Sequence, residues 1–578
     1  MSPHLPRAFV ASRSPPPPRR PQNDYYTPRS PSSHRPTVSI PKLREAIHRI
    51  DSKMASLMSE KHELESHLEQ AVRLQSPVLR IPSELLGSIF IISVFGMGDD
   101  NPVMVSTLML VCRYWADVVL DTPILFSKIS VSPHDSIDKA RRKLARSKSC
   151  PLDISINFGP RMEYTSRVTE QVIHAMDLIR PALWRTKSFS LSVPNRPQAH
   201  AALSRCQEEA PLLEKLSIHV FHSMQEDHYS SPLLPLFRGH TPRLVSCSLT
   251  SFNFGWDLRL VSQLRVLKLG GYFNGYAPSS TTLLEILAQC PSLEELVLRN
   301  MSDVDSDPCY PMSRTVEDHD LPPVSKAIRL PRLTKVSFYY SGNVFTRQIM
   351  RQISLPNLES LEMCYLENVS QVLQLLYEQS LTRLPLKHLR IESCLFNELK
   401  FVNLLRRLPS LATLELVDTE DASSSFLKVN LLVPLCSPNW SLTSIFQALS
   451  SPQSWVCPRL ESVVFDGCTC FDWDSLRTFV ESRLPANSYP QYQSVEAFRS
   501  RNMVGSSASA SASASAFGRR PIVKSASRAV LPGPKRIRSM DVTRCSQISK
   551  EMVQWLRMYV PQVKCEPAKG VWGENLMA

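Results

Sequence analysis

Three carboxylates alternate in "MSDVDSDP", Asp303, Asp305 and Asp307, as oxygen ligands do in a calcium-binding loop. The segment lacks the glycine and the terminal glutamate that such a loop needs, so a solvated acidic insertion is the better reading. Cysteine and histidine offer no more. The 14 cysteines are scattered and form no CxxC pair, and "CTC" at 468–470 is spaced poorly for zinc. The 14 histidines are dispersed. GxSxG, HExxH, GxxxxGK[ST] and GxGxxG are all absent. No catalytic, cofactor-binding or metal-binding residue is expected, and no enzyme. The chemistry left to this chain is that of apolar faces and recognition surfaces.

Composition agrees. The 578 residues are 43% hydrophobic and 21% charged, enough for several domains or one elongated array. Only 16 Gly stand against 46 Pro, which suits short, Pro-punctuated elements better than phosphate-binding loops. The net charge of +13 is concentrated in 1–49 and 519–538. "GRRPIVKSASRAVLPGPKRIR" could serve nuclear import, but it has no aromatic stacking platform, which argues against nucleic acid. Free thiols fit a reducing compartment. No signal peptide is read at the Pro-rich start and no apolar run reaches 18 residues, so no membrane span is expected, and the cytosol or nucleus is.

Apolar surfaces need elements to present them. Residues 1–41 carry "SPPPPRRP" and "TPRSPSSHRP" and read as a disordered basic tail. A segment without Gly or Pro follows, placed at 42–76. Leu43, Ile50, Leu57, Leu64 and Ala71 recur every seven residues, and Ile47, Met54, Lys61 and Leu68 form the second series. This is a coiled-coil seam with one polar break. It either joins two copies weakly or lies along the next domain of its own chain.

At 81–94, "IPSELLGSIFIISV" opens with Pro82, whose missing N–H costs nothing at a helix start, and with Ser83 and Glu84, which suit the positive end. Leu85, Leu86, Ile89 and Phe90 make it apolar nearly all round, so it must be covered on two sides. A second compact helix is expected over "LMLVCRYWADVV", 108–119, with Leu108, Val111, Cys112, Trp115 and Val119 as its stripe. "DTPILFSKI" closes the unit.

The Pro-x-Glu-Leu-Leu-x-x-Ile-Phe opening, the Val-Cys-Arg-x-Trp core and the terminal Leu-Phe resemble an F-box, here 77–130. Ile81 stands where that family usually has Leu, and 91–107 is longer than in compact members. The resemblance implies a helical module that docks on a Skp-type adaptor and through it on a cullin. The paired apolar stripes and the family's matching positions assign adaptor binding to Pro82, Leu86, Ile89, Val111, Cys112 and Trp115. A unit of about fifty residues buries too little surface to be robust alone, so docking one face would add stability.

Beyond it one phrase repeats: "PLLEKLSI" from Pro211, "PRLVSCSL" from Pro242, "PSLEELVL" from Pro291, "PRLTKVSF" from Pro331, "PNLESLEM" from Pro356, "PSLATLEL" from Pro409 and "PRLESVVF" from Pro458. "SQLRVLKL" and "LPLKHLRI" are variants. Counted from the Leu after Pro-x, apolar residues fall at 0, +3 and +5, often with an apolar residue or Cys at +8, as in Leu386, Leu389, Ile391 and Cys394. This is the leucine-rich-repeat pattern, with a short strand at +3 to +5. Helical stretches such as 281–290 and 399–408 lie between. "CPLDISI" (150–156) and "LWRTKSFSLSV" (183–193) are expected to be the first two strands. The array should occupy 131–484. "SSASASASASAF" marks a disordered linker, 485–533. The phrase then returns at Ile537, Met540, Val542 and Cys545, ahead of a helix with Met552, Trp555, Leu556 and Tyr559 on one face. Residues 534–565 therefore read as a terminal repeat stacked on the one from Pro458, and 566–578 as a tail.

The expected fold is α/β: a coiled-coil helix and small helical F-box, then an irregular leucine-rich-repeat solenoid, with a disordered tail and a late disordered insertion. The resemblance to F-box proteins carrying such repeats implies a substrate receptor in ubiquitin-dependent protein catabolism. An unidentified protein target would sit on the repeat surface, and ubiquitin transfer would be left to other subunits. A non-degradative scaffold is the alternative, and a basic nuclear protein on nucleic acid the weaker third.

Overall fold

The computed structural model describes residues 39–75, 77–96, 103–160, 166–221, 236–252, 255–272, 277–301, 328–379, 384–421, 443–451, 455–468, 472–485, 533–545 and 547–566. The tail over 1–38, the acidic run with Asp303, Asp305 and Asp307, and the Ser/Ala linker over 486–532 lie outside the described residues. The chain divides into two compact units, Met1–Leu86 and Gly87–Ala578, and the division falls inside a helix.

In the first unit, the segment with high helix propensity forms one helix, α1 (Ile40–Gln75). Two exposed i,i+4 ion pairs support it, Arg49–Glu45 at 2.8 Å and Lys61–Glu65 at 3.5 Å, worth a few tenths of a kcal/mol each. Its apolar seam is exposed, Leu57 for instance to 55% and Leu64 to 61%. A 3-10 turn, Val78–Arg80, follows. Pro82 then offers its carbonyl to the Leu86 N–H at 3.0 Å, opening the helix α2 (Ser83–Phe95).

The second unit begins in α2 and continues into α3 (Met104–Val111) and α4 (Arg113–Leu120). These two are not the single helix expected over 108–119. Cys112 is extended, at φ −162° and ψ 167°, and breaks the chain there. Val111, Cys112, Tyr114 and Trp115 all have modest helix propensity, so a break among them costs little. It lets Leu108 in α3 and Val118 and Val119 in α4 turn inward together with Phe90, Val94, Leu125 and Phe126. The stripe therefore does not lie on one face: Leu108 and Val119 are interior, while Val111 is exposed.

A parallel sheet follows, with 14 strands among the described residues, and its spatial order is the chain order throughout. It runs from Lys128–Val131 to Gln562–Lys564. The first strand precedes both segments expected to start the sheet and straddles the boundary expected at 130/131. Only Ile129 and Val131 alternate inward there, too short a pattern to read from sequence. Leu152–Asn157 and Thr186–Val193 are the second and third strands.

The repeated phrase shows why the array closes. Leu361 lies beside Val336 and Leu389, and Met363 beside Phe338 and Ile391. All six are buried, as are the leading Leu358, Leu386, Leu411 and Leu460. Period-2 alternation thus sends every second side chain into one continuous core. At +8, the Cys394, Cys468 and Cys545 thiols are buried and lie against carbonyls; Cys545 Sγ donates to the Phe465 carbonyl at 2.7 Å and Cys468 Sγ to Leu416 at 3.4 Å. Burial pushes the Cys394 thiol up to about 12, so these groups pack rather than react. Side-chain caps start the connecting helices: Ser279 accepts from Thr282 N, Asn397 from Lys400 N and Asp472 from Ser475 N.

At the far end Ser539–Asp541 pairs in parallel with Ser462–Val464, and Lys535 N donates to the Pro458 carbonyl at 2.8 Å. In the helix Lys550–Tyr559, Leu556 is fully buried, and Met552, Trp555 and Tyr559 pack partly against the core. Trp555 meets Trp473 edge-on at 5.5 Å.

Candidate docking and recognition surfaces

The second unit carries two surfaces that can bind something. The first is the apolar exterior of its helical module. Ile89 is 48% exposed and Val111 54%; Ile92 and Leu110, which sequence reasoning did not single out, are 68% and 86%. Ile92 lies three residues from Ile89 on the same side of α2, and Leu110 adjoins Val111, so chain neighbourhood was the available signal. Trp115 is half-buried and packs on Phe90 with ring centroids 5.0 Å apart at 58°. Cys112 is half-buried at the α3–α4 break, where its carbonyl accepts from Ala116 N at 3.0 Å. Of the six residues assigned to adaptor binding, Ile89 and Val111 are thus presented outward, while Cys112 and Trp115 are shared with the interior. Pro82 and Leu86 belong to the first unit; Pro82 is exposed and Leu86 is buried, at 2% exposure.

The second surface is the open face of the sheet. Side chains alternate with those of the core, and register aligns them into rows across the strands. One row begins with five serines on five neighbouring strands, Ser130, Ser155, Ser190, Ser217 and Ser248. It continues through Lys268, Val297, Ser337, Glu362, Arg390 and Glu415. From Ser248 to Glu362 the row lines a shallow groove of about 570 Å³ whose wall also includes Glu295, Arg299 and Lys335. Lys268 Nζ pairs with Glu295 at 2.9 Å, and Arg299 lies 5.9 Å from the Tyr339 ring centre.

Beyond the groove the row becomes a charged network. Arg390 bridges Glu392 at 2.6 Å and Glu415 at 2.5 Å, and His388 Nε2 lies 3.2 Å from Glu415. The His388 contact, with Arg390 behind it, outweighs partial burial and holds the Glu415 carboxyl below its usual range. At Glu392 burial is the largest influence and pushes upward, but the hydrogen bond and charge of Arg390 together with the hydrogen bonds from Tyr365 and Cys364 overcome it and leave the carboxyl below its usual range. Tyr365 donates to Glu392 at 3.0 Å, and that bond pushes its phenol up to about 12. Tyr365 also stacks on Tyr340, with centroids 4.6 Å apart and planes within 8°. Both tyrosines hold the left-handed position just after their strands, at φ 55° and 47°. Aromatic stacking and fixed charge suit this face to recognition, and His388 also reaches the Ser360 hydroxyl, whose Oγ lies 3.0 Å from His388 Nδ1, so the imidazole stands between a hydroxyl and the Glu415 carboxylate.

Among the described residues no group of three or more His, Cys, Asp or Glu could hold a metal ion. No described helix is long and apolar enough to cross a membrane. No protein-family model matches the chain, and no curated protein aligns with it significantly.

Proposed function

We propose that this chain is a substrate receptor of a cullin-based ubiquitin ligase: an F-box holds a Skp-type adaptor, and a leucine-rich-repeat sheet holds a protein target. One observation carries the reading. A small helical module with Ile89, Ile92, Leu110 and Val111 uncovered is joined directly to a long parallel sheet with an open polar face. Exposed large apolar side chains on two helices of one small module suit an interaction site, and they are otherwise a liability. The division of labour follows. The module anchors, the sheet selects, and the chain contributes proximity and orientation to a transfer carried out by other subunits.

Co-purification of the full chain with a Skp-type adaptor and a cullin tests this. Recovery of both is the expected result. Recovery of the adaptor without the cullin favours a non-degradative scaffold, and failure to bind the adaptor defeats the proposal.

A further inference from the structure

The α1 seam is uncovered along its length, and its flanking charges state what would cover it. With Ile40, Ile47, Met54, Lys61 and Leu68 at the first core position of the heptad, Leu43, Ile50, Leu57, Leu64 and Ala71 take the second. Arg44, Asp51, Met58 and Glu65 then flank one side of the seam, and Ala46, Lys53, Glu60 and His67 the other. A parallel pair of such helices would set Lys61 on Lys61 in the core and Glu60 beside Glu65 of the second copy. Both contacts are repulsive.

We propose that α1 pairs with α1 of a second copy as an antiparallel coiled coil, with its twofold axis between Ala55 and Ser56. In that register Met54 meets Leu57 and Ile47 meets Leu64 of the second copy. Lys61 packs its stem on Ile50 and keeps its ammonium at the rim, beside Glu65 of its own helix at 3.5 Å. The flanks then match: Lys53 faces Glu60 and Arg44 faces Glu65, each twice by symmetry. Arg44, Lys53 and Glu60 have no ion-pair partner among the described residues of one copy. Neighbouring registers fail. One heptad one way sets Lys53 on Lys53 and Asp51 on Asp51; one heptad the other way sets Glu60 on Glu60 and Asp51 beside Glu65. Charge pattern therefore selects both orientation and register, the known role of such flanking positions. The seam spans residues 40–71, about 48 Å of helix. This inference does not depend on the function proposed above.

Sedimentation of the full chain across a concentration range tests it, with helix content followed by circular dichroism. The wild type should show a monomer–dimer equilibrium. Glu60→Lys should weaken the dimer about tenfold, because two attractive pairs become repulsive. Lys53→Glu with Glu60→Lys in the same chain should restore it. A dimer strengthened by Glu60→Lys would mean a parallel pair and overturn the proposal. So would a monomer at every concentration, whose seam is then covered within its own chain. An association indifferent to both variants would also overturn it, since the contact would then lie elsewhere.

Discussion

Arg544 holds Asp418, 126 positions earlier in the chain, at 3.0 Å, and Asp466 at 2.7 Å on the strand between them. One guanidinium thus ties the last part of the sheet to two preceding strands. Gly467 lies in the same cluster with φ at +68°, and a Cβ there would overlap Asp418 Oδ1.

Gly467→Ala should therefore cost about 1–2 kcal/mol, from left-handed strain plus displacement of the Asp418 carboxylate from Arg544. Arg544→Ala should cost less, about 0.5–1 kcal/mol, because the pairs are well exposed and screened by solvent. Met540→Ala, in the buried row, should cost the most at about 2–5 kcal/mol. Chemical denaturation of the three variants checks the order. A larger loss from Arg544→Ala than from Met540→Ala would show that the terminal strand is held by charge rather than by core.

Arg483 is the larger commitment. It is 1% exposed, and it donates to the carbonyls of Val456 at 2.8 Å, Cys457 at 3.1 Å and Leu449 at 3.3 Å. Burial lowers its pKa to about 10. Arg185 repeats the device at the other end, donating to the Cys150 carbonyl at 2.8 Å and to Leu144 at 3.3 Å. Arg483→Lys keeps the charge but cannot reach three carbonyls from a single ammonium in the same plane. It should destabilise by about 2–4 kcal/mol, close to Arg483→Ala, because buried carbonyls are left unpaired in both. Urea midpoints of the two variants test this, and full rescue by lysine would assign the site to charge alone.

These arginines mark the limit of what the sequence discloses. The strand phrase was legible because its alternation is local: Leu358, Leu361 and Met363 announce their own inward face. The partners of Arg483 are backbone carbonyls 26 to 34 positions away, which no spacing rule reveals. The helix α2 was readable as a helix, but being apolar nearly all round it could not say which side faces inward. Leu86 was assigned to a surface and is interior, while Ile92 was passed over and is exposed. The break at Cys112 was hidden for a related reason. Its neighbours satisfy a helical stripe in sequence, and only the packing of Leu108 and Val119 separates the two halves. The Tyr340–Tyr365 stack needs the strand register before it can be seen at all.

The acid limb of stability should report Glu415. Its folded carboxyl is held below the usual range by His388 and Arg390, so its stabilising contribution is complete above the unfolded value, near 4.3. As pH falls through the lower folded value, the unfolded chain takes up the proton first and the contribution is lost. Glu415→Gln removes that group, so its stability should fall less steeply than the wild type's between about pH 5 and about pH 3. Parallel slopes in denaturation at stepped pH would show that the network contributes nothing there.

At the proposed docking face, exposure separates an effect on binding from an effect on folding. Leu110, 86% exposed, has little to lose in the free chain, so Leu110→Asp should change stability by no more than about 0.5 kcal/mol. Placed in a desolvated interface, the same carboxylate should weaken adaptor binding at least about tenfold, since a buried unpaired charge is costly. Ile89→Asp should weaken binding as much, at a larger cost in stability because that side chain is only 48% exposed. Trp115→Ala differs because the indole also packs on Phe90 at 5.0 Å. It should abolish adaptor capture and destabilise the module by about 2 kcal/mol or more, which makes it the poorer probe by itself. Titration calorimetry with a purified Skp-type adaptor, beside a melt of each variant, distinguishes the cases. Full-strength binding by both Leu110→Asp and Ile89→Asp would remove this face from the interface.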